Sequence, residues 1–289
     1  MVVGVDGSSG GRNALAWAVT EAVHRHATLE IVHSWTSPVS ISSMGGMAVY
    51  PGDDAFYQEA AEQLVAGLVE EIRAEAEAAG VAIESQALQG HATTLLLDRL
   101  ERADLLVVGS RGHSNLVGLL VGSVSHQCVH HATKPVVVVP AESPPSSDGQ
   151  IVVGVDGSEE SWAALRWAVT EAGIRSAPLR VVHGWWTPVA VPPVGIALGD
   201  SDFERFEQET EQMLHEMVNG MLEQADPKPA SIQLEAVPQA ATEALVDRSN
   251  GSALLVVGSR GRGGFKGLLL GSVSQQVLHH AECPVAVIR

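Results

Sequence analysis

Cations are scarce in this chain. Its 289 residues carry 17 Lys and Arg against 34 Asp and Glu, a net charge of −17. The deficit is even: residues 1–145 hold 7 basic and 16 acidic groups, the remainder 10 and 18. Such a surface repels nucleic acid and anionic lipid, so neither is expected as a partner; a local pocket for a small anion is untouched by that argument. Cysteine is nearly absent. Cys128 and Cys283 show no metal-ligand spacing and do not fall at matching places, so they read as buried free thiols, and no metal site is expected. Aromatic residues make up only 4%. No apolar run approaches about 18 residues, which excludes a transmembrane helix. No basic stretch precedes an apolar one at the start, where Val2 to Val5 runs straight into Asp6, so a cytoplasmic protein is expected. With 45% hydrophobic residues and ordinary Gly and Pro, a disordered chain is excluded.

What the sequence does contain is a repeat. Val2-Val3-Gly4-Val5-Asp6-Gly7-Ser8 returns as Val152-Val153-Gly154-Val155-Asp156-Gly157-Ser158, and Val32-His33 returns as Val182-His183. Leu106-Val107-Val108-Gly109-Ser110-Arg111-Gly112 matches Leu255-Val256-Val257-Gly258-Ser259-Arg260-Gly261. Gly122-Ser123-Val124-Ser125 matches Gly271-Ser272-Val273-Ser274, and His130-His131-Ala132 matches His279-His280-Ala281. A period this long is a duplicated domain rather than a solenoid. The Pro- and Ser-rich stretch before Gln150 reads as a linker, giving domains over 1–140 and 151–289 joined by 141–150.

Strand and helix signals alternate within each half. In the first, strands are expected over 2–6, 29–33, 81–88, 104–108 and 135–139, and helices over 12–26, 57–79, 94–102 and 122–132. On the long helix Ala61, Leu64, Val65, Leu68 and Ile72 form one stripe. Its counterpart has Phe203, Phe206, Met213, Leu214, Met217 and Met221, read as core packing. The strands lack alternation and so are expected to be buried on both faces, which demands helices on both sides of a parallel, doubly wound sheet. The segments over 35–56 and 185–202 are longer than simple connections and read as surface loops, lids or partner contacts.

In such sheets ligands bind beyond the carboxyl ends of the strands. Two marked places lie there. Asp6-Gly7-Ser8 ends strand one; its Gly permits a tight turn, and Ser8 or Ser9 is suited to cap the next helix. Gly109-Ser110-Arg111-Gly112 leaves strand four, continues as His113-Ser114-Asn115, and is followed by Gly122-Ser123 opening a helix. The pattern Gly-x-x-Gly-x9-Gly-Ser recurs at Gly258, Gly261, Gly271 and Ser272, with Arg262, Gly263 and Gly264 in its loop. Glycines let backbone N–H groups approach a ligand, the helix N-terminus adds partial positive charge, and Ser123 and Ser125 add hydroxyls, together a phosphate cradle. On this reading Gly109→Ala blocks phosphate while the fold survives. Arg111 and Arg260 are placed either to reach phosphate or to face solvent.

These residues resemble the universal stress protein family in its tandem-domain form, over nearly the whole chain. The resemblance implies two tandem Rossmann-like (adenine nucleotide alpha hydrolase-like) domains, each a five-stranded parallel sheet of order 3-2-1-4-5. It implies one ATP per domain, whether or not Mg²⁺ accompanies it. Asp6 and Asp156 would hold adenine or ribose, and backbone at Ser34 and Gly184 would lie near adenine. The glycine loops and the two Gly-Ser-Val-Ser segments, including Val124 and Val273, would hold ribose and phosphates. Pairing through the last strands, Pro135–Val139 and Pro284–Ile288, would make an internal pseudo-dimer, with a homodimer of chains left open. The biology implied is stress adaptation through a further protein partner.

Enzyme readings are weaker. The chain has no Gly-x4-Gly-Lys-Ser/Thr loop. Ser8-Ser9-Gly10-Gly11 resembles an ATP pyrophosphatase loop, but Ser158-Glu159-Glu160-Ser161 stands there in the second half. Slow ATP hydrolysis is the alternative to a purely regulatory module. A flavodoxin-like redox protein would want stacking aromatics, and Trp35, Trp185 and Trp186 are asymmetric between halves. His130-His131 and His279-His280 point apart in a helix and read as last-turn residues rather than metal ligands.

Overall fold

The computed structural model describes residues 1–37, 39–41, 47–49, 54–112, 121–142, 149–185, 200–223, 225–262 and 269–289. The chain divides into two compact units, Met1–Pro145 and Ser146–Arg289. In the first, β1 (Val2–Gly4), β2 (Leu29–Trp35), β5 (Ile83–Gln89), β6 (Leu106–Gly109) and β7 (Val136–Val139) form a parallel sheet of order β5-β2-β1-β6-β7. This is the 3-2-1-4-5 order expected. Helices α1 (Ser9–Arg25) and α2 (Asp54–Ala79) pack together, as do α3 (Ala92–Leu100) and α4 (Ser123–His131), covering the sheet on both faces. Two short antiparallel strands, β3 (Val39–Ile41) and β4 (Met47–Val49), stand within the long segment after β2.

The second unit repeats the plan. Strands β8 (Ile151–Gly154), β9 (Pro178–Gly184), β10 (Ser231–Val237), β11 (Leu254–Gly258) and β12 (Val285–Ile288) run in the order β10-β9-β8-β11-β12. Helices α5 (Glu159–Ile174), α6 (Asp200–Leu222), α7 (Ala241–Ser249) and α8 (Ser272–His280) complete it.

Central strands are buried throughout, as their unbroken Val, Leu and Ile runs require: Val2, Val3, Leu106, Val107, Val152 and Val256 are sealed from solvent. The third strand of each half departs from the expectation. β5 and β10 carry exposed and half-exposed residues because each pairs on one side only within its unit, and Glu84, Ser85 and Gln89 suit that edge. On α2 the stripe holds, with Ala61, Val65, Leu68 and Ile72 buried and Leu64 half-buried. On α6, Leu214 and Val218 are buried and Met221 is half-buried. The side chains of Phe203, Phe206, Met213 and Met217 lie outside the described residues.

Helix α1 starts at Ser9, three residues before its expected beginning. Glycine is a poor helix former, yet Gly10 and Gly11 lie inside the first turn and are buried. So Ser8 to Gly11 is a capped helix start. Near the other end of α1, Glu21 is fully buried and pairs with Arg25, which is 20% exposed. In α5, Glu171 is fully buried and its partner Arg175 is only 4% exposed.

Candidate functional site

The strand order reverses between β1 and β6, and a cleft opens beyond their carboxyl ends. Strand one contributes Gly4 and Asp6, β2 contributes Ser34, the following loop Gly109, Arg111 and Gly112, and the start of α4 the run Gly122 to Ser125. Its volume is about 190 Å³. The second unit assembles the same set: Gly154, Asp156 and Gly184, then Gly258, Arg260, Gly261 and Arg262, then Gly271 to Ser274. That cleft measures about 480 Å³.

Local rules explain how the chain reaches this arrangement. After β1 it turns at Gly7 (φ 83°), a left-handed conformation that favours glycine. Ser8 caps α1, its hydroxyl accepting from Gly11 N at 3.1 Å and donating to Asp6 Oδ1 at 2.5 Å. Asp6 Oδ1 also accepts the Ser8 N–H at 3.0 Å. The second unit matches: Gly157 has φ 77°, and Ser158 N donates to Asp156 Oδ1 at 2.9 Å. There the other carboxylate oxygen, Oδ2, accepts the Arg262 N–H at 2.8 Å. Burial alone would raise the Asp156 carboxyl. Hydrogen bonds from the Ser158 hydroxyl and N–H, the Arg262 N–H and Ser161 outweigh it and hold the group below the ordinary carboxylate value.

Both loops pass directly over these carboxylates. A Cβ at Gly112 would collide with Asp6 Oδ2, and one at Gly261 with Asp156 Oδ2. The loop ends are pinned to the sheet. Ser110 N donates to Val139 O at 2.7 Å, and Ser110 O accepts Gly122 N at 2.6 Å and the Ser125 hydroxyl at 3.3 Å. Ser259 N, Gly271 N and Ser274 repeat those bonds to Ile288 O and Ser259 O. Helices α4 and α8 are preceded at the cap position by Gly122 and Gly271, which have no capping side chain. The opening N–H groups of a helix lack intrahelical partners, and the residues that carry them, Ser123 to Ser125 and Ser272 to Ser274, line the clefts.

Several expectations change at this level. Ser125 and Ser274 are buried, and their hydroxyls donate to backbone carbonyls, so Ser123 and Ser272, both exposed, are the hydroxyls open to a ligand. Ser110 and Ser259 face away from the clefts; Ser110 Oγ accepts Ala141 N at 3.1 Å. Gly7 and Gly157 shape the turn and do not line the clefts. Gly109 lines the cleft and is also required by the fold: a Cβ there would sit 2.6 Å from Gly10 C and O, and one at Gly258 would sit 2.8 Å from Glu160 C. Gly109→Ala therefore strains the contact of β6 with α1. Arg111 pairs with Glu142, and Arg260 with Glu160 at 2.6 Å, so both are lining residues held by carboxylates. His113, Ser114, Asn115, Gly263 and Gly264 lie outside the described residues.

Sequence reasoning missed the other wall. Ala92 and Leu96 of α3, with Ala241 and Leu245 of α7, close the clefts opposite the glycine loops. Gly4 and Gly154 make room for those leucines: a Cβ at either would meet a Leu methyl at 2.8 Å. It also missed a clip. His33 Nδ1 donates to Val5 O at 2.8 Å and His183 Nδ1 to Val155 O at 2.7 Å, which fixes both rings as Nδ1–H and steadies the strand-one turn. The doubled Ala-Thr at 92 and 241 and the doubled Val-His were the available signals. Along α4, the His126 and His130 rings lie with centroids 4.2 Å apart and planes tilted by 34°. Among the described residues no group of three or more His, Cys, Asp or Glu is placed to hold a metal ion, and no helix is long and apolar enough to cross a membrane.

Comparison with known proteins agrees with this architecture. The model of the universal stress protein family matches residues 1–140 and again 149–289. A universal stress protein of Mycobacterium tuberculosis is 35% identical, covering 100% of this chain and 96% of its own length. One from Mycolicibacterium smegmatis is 32% identical, with the same coverage. The crystal structure of a universal stress protein from Archaeoglobus fulgidus covers 100% of this chain and 97% of its own, with a TM-score of 0.68 at 18% identity, a likeness of fold.

Proposed function

The chain belongs to the universal stress protein family, and from that premise we propose that each unit binds one ATP and that occupancy, rather than turnover, is what the protein reports. The observation that carries this is the doubled cradle. In each unit a glycine loop, an uncapped helix start and a strand-end carboxylate converge on one cleft.

The residues fit the nucleotide. The opening N–H groups of α4 and α8, with Ser123 and Ser272, offer donors to phosphate at the positive end of a helix. Asp6 and Asp156 present carboxylate oxygens at the clefts, a chemistry suited to ribose hydroxyls. Leu96 and Leu245 offer an apolar wall to a base, near backbone at Ser34 and Gly184. Magnesium, if it accompanies the nucleotide, would be held mainly by phosphate oxygens. Bound ATP supplies anhydride bonds, but the carboxylates that line the clefts already anchor their loops, which leaves neither positioned as a general base for water. The output is then a contact with another protein, in keeping with a regulatory role in stress adaptation.

Calorimetric titration of nucleotide-free protein with ATP should approach two per chain, with GTP weaker and phosphate release far slower than about 1 s⁻¹, the low end of ordinary enzyme rates. A folded protein that binds no ATP overturns the proposal. Phosphate release at an ordinary enzymatic rate, lost on cleft mutation, favours the ATP hydrolase reading instead.

A further inference from the structure

The two clefts share a frame but differ in free charge. In the first, Arg111 is the one cation among the described lining residues, and Glu142 pairs with it. In the second, Arg260 is likewise held, by Glu160 at 2.6 Å. Among the described lining residues the second cleft has one cation more. Arg262 lines it, is exposed, and rests its guanidinium over the backbone of Gly157, where a Cβ would displace it. Among the described residues no carboxylate pairs with that guanidinium. Its backbone N–H is bonded to Asp156 Oδ2, so the residue is seated by its main chain while its side chain stays available. The matching position in the first half is His113.

The clefts also differ in size, about 190 Å³ against about 480 Å³. Ligand sites for compact organic molecules run roughly 300–1,000 Å³, so only the second falls within that span. At the wall near β2 the second has Gly184 where the first has Ser34. A helix N-terminus provides about half a unit of positive charge, enough to favour one phosphate group. The further charge of a triphosphate calls for a cation.

Resting on the reading that both clefts take adenine nucleotides, we infer that the second cleft is the polyphosphate site, with Arg262 the residue that selects it, and that the first discriminates little between ATP and AMP. A charge-assisted hydrogen bond from a guanidinium to the outer phosphates corresponds to about tenfold or more in affinity. The two sites would then sense different things. One follows the degree of phosphorylation, and the other follows total adenine nucleotide.

The test isolates each cleft. Ser123 and Ser272 are exposed at the first position of their helices, where a carboxylate suits the helix but repels phosphate. Ser123→Glu leaves the second cleft open and Ser272→Glu the first. Each full-length variant, with its fold checked by circular dichroism, is titrated with ATP, ADP and AMP. The expected result is an ATP-over-AMP preference of about tenfold or more in Ser123→Glu and below about threefold in Ser272→Glu. Adding Arg262→Gln to Ser123→Glu should lower ATP affinity about tenfold with little change for AMP, and Arg262→Lys should restore part of it. The backbone bond to Asp156 survives both substitutions, so a merely structural role would not move the ATP-to-AMP ratio. Equal ratios in the two clefts, or a ratio unmoved by Arg262→Gln, overturn this inference alone. Absence of any adenine nucleotide binding in the unaltered protein overturns both it and the underlying reading.

Discussion

At the strand-one turn the two units are nearly superposable in their bonds. Ser8 N reaches Asp6 Oδ1 at 3.0 Å and Ser158 N reaches Asp156 Oδ1 at 2.9 Å; the capping hydroxyls accept at 3.1 and 3.2 Å. One turn later they part. The first helix opens with Gly10-Gly11, the second with Glu160-Ser161, and the loop arginines find their carboxylates at Glu142 in one unit and Glu160 in the other. Positions that turn, cap or clip the backbone are duplicated. Some positions at the cleft are not: Gly184 stands where the first half has Ser34, and Arg262 where it has His113. Holding the frame and choosing what enters it are therefore separable tasks in this fold.

The comparison can be broken first in the interior. Glu21 and Glu171 occupy matching buried places, but Arg175 is 4% exposed and Arg25 is 20% exposed. Removing one member of a buried pair takes a countercharge from the other, at a cost of about 3–5 kcal/mol. Glu171→Ala should lose close to that amount in urea denaturation. Glu21→Ala should lose less, because Arg25 reaches water. Equal losses would mean that the exposure of the arginine is immaterial.

Next in size are the strand-end glycines. A methyl at Gly109 meets two backbone atoms of Gly10 at 2.6 Å, and one at Gly258 meets Glu160 at 2.8 Å. Backbone cannot yield as a side-chain tip can, so Gly109→Ala and Gly258→Ala should each cost about 1–3 kcal/mol, the first more. Thermal unfolding checks this, and unchanged midpoints would return these glycines to a role toward ligand alone.

The smallest effect sharpens the comparison at Asp156. Its carboxyl is held below the ordinary value of 3.8, so the unfolded chain takes up the proton first as pH falls. The stability it contributes is present above that value and is lost as pH drops through the lower folded one. Asp156→Asn should flatten the acid limb of the stability profile below about pH 4. Denaturant midpoints followed across that range test it; an acid limb unchanged in the variant would show that the anchoring bonds are indifferent to charge.

The parallel, doubly wound sheet, the glycine spacing and the capping Ser were legible because each rests on short-range chemistry: unbroken apolar runs, glycine spacing, and a hydroxyl before a helix; the strand order followed from the family resemblance. The early start of α1 was not, since Gly10 and Gly11 argue against a helix locally and are explained only by the residues that crowd them. Ser125 and Ser274 were read as ligands for the same reason in reverse. A hydroxyl at a helix start looks open until the carbonyls of Ser110 and Ser259 are seen beside it. The walls built by α3 and α7 were missed because Ala and Leu carry no chemistry in a sequence; only packing reveals that they close a cleft.

One clamp has a wider consequence. The Ser110 carbonyl accepts both Gly122 N and the Ser125 hydroxyl, and Ser259 does the same for Gly271 N and Ser274. Each loop is thus a closed ring whose ends are tied independently of what lies between them. Closing a longer ring costs little, on the order of 0.6 kcal/mol for each doubling of length. Residues can therefore be inserted or exchanged in the interior of the ring while the base of the cradle keeps its shape. The clamp makes the loop an interchangeable part, and a duplicated chain carries two such parts free to drift in length and content on a common mount.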